Sequence, residues 1–213
     1  IANKRNIPML EIPRSELDRL TDGSVHQGVA MQIPPYKYPD ATDLVLDTME
    51  RWHSGKLSTP PLFVALDGIT DPRNLGAIIR SVSAFSGDGV IIPERRSAAV
   101  TAGAWKTSAG AAARIPVAMA TNLTRVIQQA KEQGIFVIGL DGGGDIELPA
   151  LELANEPLCV VVGSEGKGLS RLVTENCDQI VSIPIDSAME SLNAAMAVGI
   201  TLYDVSRRRA SAN

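Results

Sequence analysis

The chain is short of three residue types that often announce a function. Only 4% of its residues are aromatic, and its 213 residues include two cysteines and two histidines. Cys159 and Cys177 have neither the spacing of a metal knuckle nor that of a redox pair. A disulfide scaffold is excluded, and both read as core thiols in a reducing compartment. With His26 and His53 alone, no histidine-rich metal site is expected. No apolar run approaches the roughly 20 residues of a membrane span. No signal-peptide pattern opens the chain, so the expectation is a cytoplasmic protein without membrane contact. The formal net charge of −4 excludes a surface coated in basic residues but leaves room for a local cationic patch. The first residue is Ile1, which leads us to expect an upstream segment.

What is present is an ordinary globular composition, 45% apolar and 21% charged, long enough for one sizeable core and a small appendage. Residues 51–61, RWHSGKLSTPP, read as a linker. Before them, IPMLEIP, RSELDRLTD and HQGVAMQIPP suggest strand, helix and strand, too little to bury a core alone. After them, LFVAL (62–66), GVIIP (89–93), IFVIGL (135–140), LCVVVG (158–163) and QIVSIPI (179–185) alternate with helical patterns. Continuous Val/Ile/Leu runs separated by helices predict an α/β domain, a parallel sheet with helices on both faces. The closing RRRASAN reads as a frayed tail.

Ligands of such sheets sit at the carboxyl ends of the strands, and four turns there stand out. In DGITDPRNLGAIIRS (67–81), Leu75, Ile78, Ile79 and Val82 form a helical core stripe, with Arg73 and Arg80 together on the opposite face. An arginine such as Arg80, taken alone, is more often a solvated helix residue than a functional one, and Asn74 could be nothing more than an N-cap. GLDGGGD (139–145) could be a flexible loop. GSEGKGLS (163–170) satisfies neither the P-loop nor the dinucleotide glycine pattern, and Glu165 would repel a phosphate. IPIDSAMESLNAAMAVGITLYD (183–204) runs from a strand into a long helix. Leu192, Ala195, Met196, Gly199, Leu202 and Tyr203 would form its buried stripe, with Ser191 and Asn193 in its first turn and Ser191 as a candidate cap.

Together and in order, NLGAIIRS, GSEGKGLS and IPIDSAMESLNAAMA closely resemble the three motifs of the SpoU (TrmH) family of RNA methyltransferases, within the SPOUT superfamily. The resemblance covers about residues 60–209, and residues 7–40 are similar to the second half of the small ribosomal-protein-like domain that precedes the catalytic domain in many members. It implies three segments: 1–40 from a substrate-binding domain, 41–60 helix and linker, and 61–213 the methyltransferase domain. It further implies a deep C-terminal trefoil knot, a homodimer, and S-adenosyl-L-methionine bound by residues matching Leu140, Gly163, Ile183 and Leu192. Arg80 matches the family's essential arginine, and Asn74, Glu165, Ser191 and Asn193 its other catalytic positions, with Glu165 positioning Arg80 or the loop. Arg73, Lys106 and Arg114, with the Arg95–Arg96 pair, are candidate RNA contacts, solvated surface being the alternative. The implied reaction is 2′-O-methylation of a ribose in RNA, ribosomal RNA before transfer RNA because the accessory piece resembles that of the ribosomal enzymes. The same layout serves methyltransferases that confer antibiotic resistance. Outside catalysis stands a non-catalytic RNA-binding homologue. A Rossmann oxidoreductase would need a G-x-G-x-x-G after the first strand, which DGITDPRNLG does not supply.

Overall fold

The computed structural model describes residues 5, 7–23 and 25–212. The chain divides into two compact units, Ile1–Tyr36 and Lys37–Asn213.

Among the described residues of the first unit the one α-helix is α1, Arg14–Leu20. The His26 ring joins it to the following turn: its Nδ1 accepts from the Gly28 amide at 2.9 Å, leaving Nε2 to donate to Asp18 Oδ1 at 2.8 Å. The strands expected at 7–13 and 26–35 do not form. Pro8, Pro13, Pro34 and Pro35 remove ladder donors, and a strand without a partner has nothing to hold it extended. Leu10, 89% exposed, has no sheet to pack on.

The second unit carries seven strands: β1 Leu62–Asp67, β2 Gly89–Pro93, β3 Val117–Ala120, β4 Phe136–Leu140, β5 Ile146–Glu147, β6 Leu158–Gly163 and β7 Gln179–Ser182. They form one parallel sheet in the order β3-β2-β1-β6-β4-β7-β5. Alternate residues of each strand face opposite layers. Phe63, Ala65, Ile91, Val137, Cys159 and Val161 pack under α2 (Ala41–His53), α5 (Leu123–Glu132) and α6 (Arg171–Asn176). On the other face α3 (Pro72–Ala84) packs against β2, and α7 (Ala194–Ala212) against β6 and α3, while α4 (Ala102–Thr107) lies against α3. The Leu75/Ile78/Ile79/Val82 stripe of α3 is fully buried, as its spacing predicts. Arg51–His53 close α2, a helix whose Ala41, Val45 and Met49 are part of this core. Burial pushes the Cys159 thiol up to about 12 and the Cys177 thiol up to about 11, so neither is a thiolate near neutral pH.

Three elements depart from the sequence patterns. The β3 segment VAMA is an alanine-rich edge strand, its outer side held by the Met119 amide donating to Pro39 O at 2.9 Å. The run QIVSIPI stops being strand at Ser182, since Pro184 offers no amide to continue a ladder. The buried stripe of α7 is Ala194, Ala195, Val198, Thr201, Leu202 and Val205, while Met196 and Tyr203, expected inside, are 58% and 57% exposed.

The end of the chain is not frayed. Helix α7 continues through RRRASA, with Asn213 outside the described residues. Arg208 donates to the carbonyls of Leu148, Pro149 and Leu151 and to Asp204 Oδ2. Arg209 donates to the carbonyls of Pro60, Ala154 and Glu156 at 2.6, 2.8 and 2.7 Å. Burial lowers its pKa to about 10, still far enough above neutrality for the guanidinium to stay charged. Arg209→Met keeps the apolar stem but strands three carbonyls, and we expect it to lower stability by about 2–3 kcal/mol, read by urea denaturation.

Candidate functional site

Strand register gathers the four unusual turns at one edge. Asp67 at the end of β1 is level with Gly163 at the end of β6, and Leu140 of β4 is level with both Val162 and Val181. The chain leaves β1 towards β2 and leaves β6 towards β7, on opposite sides, so a crevice opens where the sheet order reverses.

Two glycines there are dictated by backbone packed on backbone. A Cβ on Gly163 would lie 2.1 Å from the carbonyl carbon and oxygen of Gly168 and 2.4 Å from the amide of Leu169. A Cβ on Gly144 would lie 2.7 Å from the Ser182 amide and 2.8 Å from the Ile180 carbonyl oxygen. The GGG loop is therefore where the chain crosses β7, and its third glycine is a steric requirement rather than slack. Asp67 Oδ2 accepts from the Ser170 amide at 2.6 Å and closes the 163–170 turn onto β1. Asp141 Oδ1 accepts from the Gly143 amide at 2.9 Å and shapes the crossing loop.

Between these turns and the start of α7 lies a cavity of about 600 Å³, a size typical of small-molecule sites. Leu140, Gly163, Ile183 and Leu192, the four candidate cofactor positions, all line it, as do Glu165 and Ser191.

The other candidate residues assemble beside it. Glu165 Oε1 accepts from Asn74 Nδ2 at 3.0 Å and from Asn193 Nδ2 at 2.7 Å, and Asn193 Nδ2 also donates to Asn74 Oδ1 at 3.0 Å. Asn193 Oδ1 accepts from the amides of Ala195 and Met196 at 3.0 and 3.3 Å. Asn193 is thus the N-cap of α7, in place of Ser191, which precedes the helix as an exposed residue. Asn74 is not a cap either, because Asp71 fills that position in α3 by accepting from the Arg73 amide at 2.8 Å. Freed from capping, Asn74 reaches across 91 residues of sequence to Glu165.

Glu165 is engaged by these two asparagines, and no hydrogen bond or ion pair joins it to Arg80 among the described residues. Arg80 is exposed on α3, away from the buried stripe and on the side of Arg73. Arg73, Lys106 and Arg114 are exposed around α3, α4 and the turn that follows α4, and Arg95 and Arg96 are exposed after β2. Sequence reasoning missed Asp67 and Asp141, whose signal was an acid directly after an apolar strand and before glycine.

A parallel sheet with a cavity formed by crossing loops at its carboxyl edge, flanked by an Asn–Glu–Asn cluster, defines the class. Residues 61–203 match the SpoU rRNA methylase family and residues 1–39 match a domain described as RNA 2′-O ribose methyltransferase substrate binding. The chain belongs to the SpoU rRNA methylase family. It is 59% identical over 208 residues to a Mycobacterium avium (strain 104) protein named as an uncharacterized tRNA/rRNA methyltransferase, covering 98% of this chain and 65% of that one. The chain spans about 65% of the length of the curated relatives it matches. Among solved structures it is similar to the SpoU methyltransferase AviRb from Streptomyces viridochromogenes in complex with AdoMet, at 29% identity and a TM-score of 0.67, covering 73% of this chain and 60% of that one. It is also similar to the AdoMet-bound rRNA methyltransferase of Sinorhizobium meliloti, at 25% identity and a TM-score of 0.68, covering 81% of this chain and 61% of that one.

Asn193→Ala removes both the cap of α7 and the donor to Glu165, so we expect a loss of about 1–2 kcal/mol in chemical denaturation. Asn74→Ala leaves the cap intact and is expected to cost less than half as much.

Proposed function

We propose that this chain methylates a ribose 2′-hydroxyl of RNA, with ribosomal RNA as the substrate class and S-adenosyl-L-methionine as the methyl donor. The observation that carries the reading is the contact between the Glu165–Asn74–Asn193 cluster and the cavity lined by Leu140, Gly163, Ile183 and Leu192. The cavity suits the donor: apolar side chains face an adenosyl group, glycine turns admit its approach to backbone, and among the described residues no lysine or arginine lines the wall to repel a sulfonium. The AdoMet-bound relatives and the substrate-binding match over residues 1–39 support the same assignment.

When bound, the donor supplies an electrophilic methyl group. The chain's own residues orient and desolvate the hydroxyl that receives it. Arg80 is an unsuitable base because a guanidinium stays protonated. It holds the phosphate next to the target ribose and stabilises the oxygen as negative charge develops, while the proton leaves to water. Asn74 and Asn193, locked on Glu165, fix the start of α3 against the cofactor turn, and the Ser191 hydroxyl at the cavity rim orients the substrate oxygen. Arg73, Lys106 and Arg114, with Arg95 and Arg96, form an exposed cationic tract for neighbouring phosphates.

The same reading includes a homodimer, a C-terminal knot and a place in the cytoplasm beside the RNA. Met196, Ile200 and Tyr203 recur along one side of α7 as exposed apolar residues, an unburied stripe suited to a second copy. The knot is supported by the sheet order: β7 lies between β4 and β5, strands joined by a loop of five residues that passes over it.

Arg80→Ala is expected to leave the melting temperature within about 1–2 °C of the parent, because the residue is exposed while the core stripe of its helix is buried, and to lower turnover by two or more orders of magnitude. Retained turnover returns Arg80 to the role of a solvated residue. An RNA carrying a 2′-deoxyribose at the target nucleotide keeps its phosphates, so binding should fall only modestly while methyl transfer stops. Labelled methyl groups still transferred to that substrate would place the acceptor on a base.

A further inference from the structure

The charge of the cavity wall is one-sided. Asp141, Glu165, Asp186 and Glu190 line it, and among the described residues no lysine, arginine or histidine does. Glu165 is committed to Asn74 and Asn193, and one oxygen of Asp141 to the Gly143 amide. Asp186 keeps a free oxygen after Oδ1 accepts from the Ala188 amide at 2.9 Å. Glu190, exposed in the same loop, makes no hydrogen bond or ion pair among the described residues. An opposing feature is the start of α7, worth roughly half a positive charge. Two of its amides are already taken by Asn193. The exposed cations of α3 and α4, by contrast, lie outside the cavity lining. In a molecule of net charge −4, these carboxylates line the cavity, while the cations of the neighbouring helices, and Lys167 between the lining residues Gly166 and Gly168, are not part of that lining.

We propose that Asp186 and Glu190 make this cavity select its occupant by net charge, holding a cationic methyl donor more tightly than the neutral thioether it becomes. This inference rests on the donor assignment above. Transfer forms an oxygen–methyl bond and breaks a sulfur–methyl bond whose electron pair stays on sulfur, and the hydroxyl proton leaves to water. The ligand therefore falls from one net positive charge to none without changing its adenosyl or amino-acid contacts. Carboxylates that line the same cavity respond to that loss, since charges interact over about a Debye length. The two residues act through the field at the rim and release the spent product, with no part in bond making.

The test is calorimetric titration of the whole chain with S-adenosylmethionine and with S-adenosylhomocysteine, at about 20 mM and about 300 mM salt, on the parent and on the Asp186→Asn/Glu190→Gln double variant. Both changes keep size and hydrogen-bonding capacity, including an acceptor for the Ala188 amide. We expect donor affinity to fall about five-fold in the variant, product affinity to move by less than two-fold, and added salt to erode the donor's advantage in the parent. A donor-to-product affinity ratio that is the same in parent and variant overturns the charge inference while leaving the donor site standing. Failure of both ligands to bind the parent overturns the donor assignment itself, and the inference with it.

Discussion

Backbone packed directly on backbone at the carboxyl edge of the sheet is the constraint on which the rest of the second unit depends. Gly163 meets the Gly168–Leu169 peptide and Gly144 crosses the Val181–Ser182 peptide at separations that no side chain fits. Those two crossings bring the β6 turn, the β4–β5 loop and the segment after β7 to one place, and the cavity is the space left among them. Local polar groups then fix each turn: Asp67 on Ser170, Asp141 on Gly143, and Asn193 on the first amides of α7.

Asn193 links this geometry to chemistry. One face of its amide caps a helix, a role decided by its immediate neighbours. The other face donates to a carboxylate and to an amide brought from two other turns. The capping fixes which end of the side chain is oxygen, so the donor is aimed at Glu165 with no freedom to flip. The carboxylate that argues against a phosphate ligand is thereby given two neutral partners.

The sheet was legible where the sequence is continuous and apolar. LFVAL, GVIIP and LCVVVG are buried on both faces and admit no other reading, whereas VAMA has too little bulk to announce an edge strand and β5 is only two residues long. The cavity positions Leu140, Gly163, Ile183 and Leu192 were readable through whole motifs in order, a resemblance rather than a periodicity. The role of Asn74 was not readable locally, because an asparagine near a helix start looks like a cap until its distant partner is in view. Met196 and Tyr203 were misread because a helix that is apolar on more than one side does not disclose which side meets its own core. RRRASAN looked solvated because three adjacent arginines rarely find partners; here backbone carbonyls supply them for Arg208 and Arg209, and Asp204 pairs with Arg207.

The Arg209 guanidinium joins the last turns of α7 to Pro60, just ahead of β1, as well as to residues 154 and 156. The approach to β1 and the last turns of α7 are latched to each other. Tension applied at those two ends loads the latch first, as a few hydrogen bonds in series, before any shear reaches the strands, whose ladders share load in parallel. Under pulling force the unit yields in two stages: first the latch, with α7 peeling from the turns it anchors, and then the sheet.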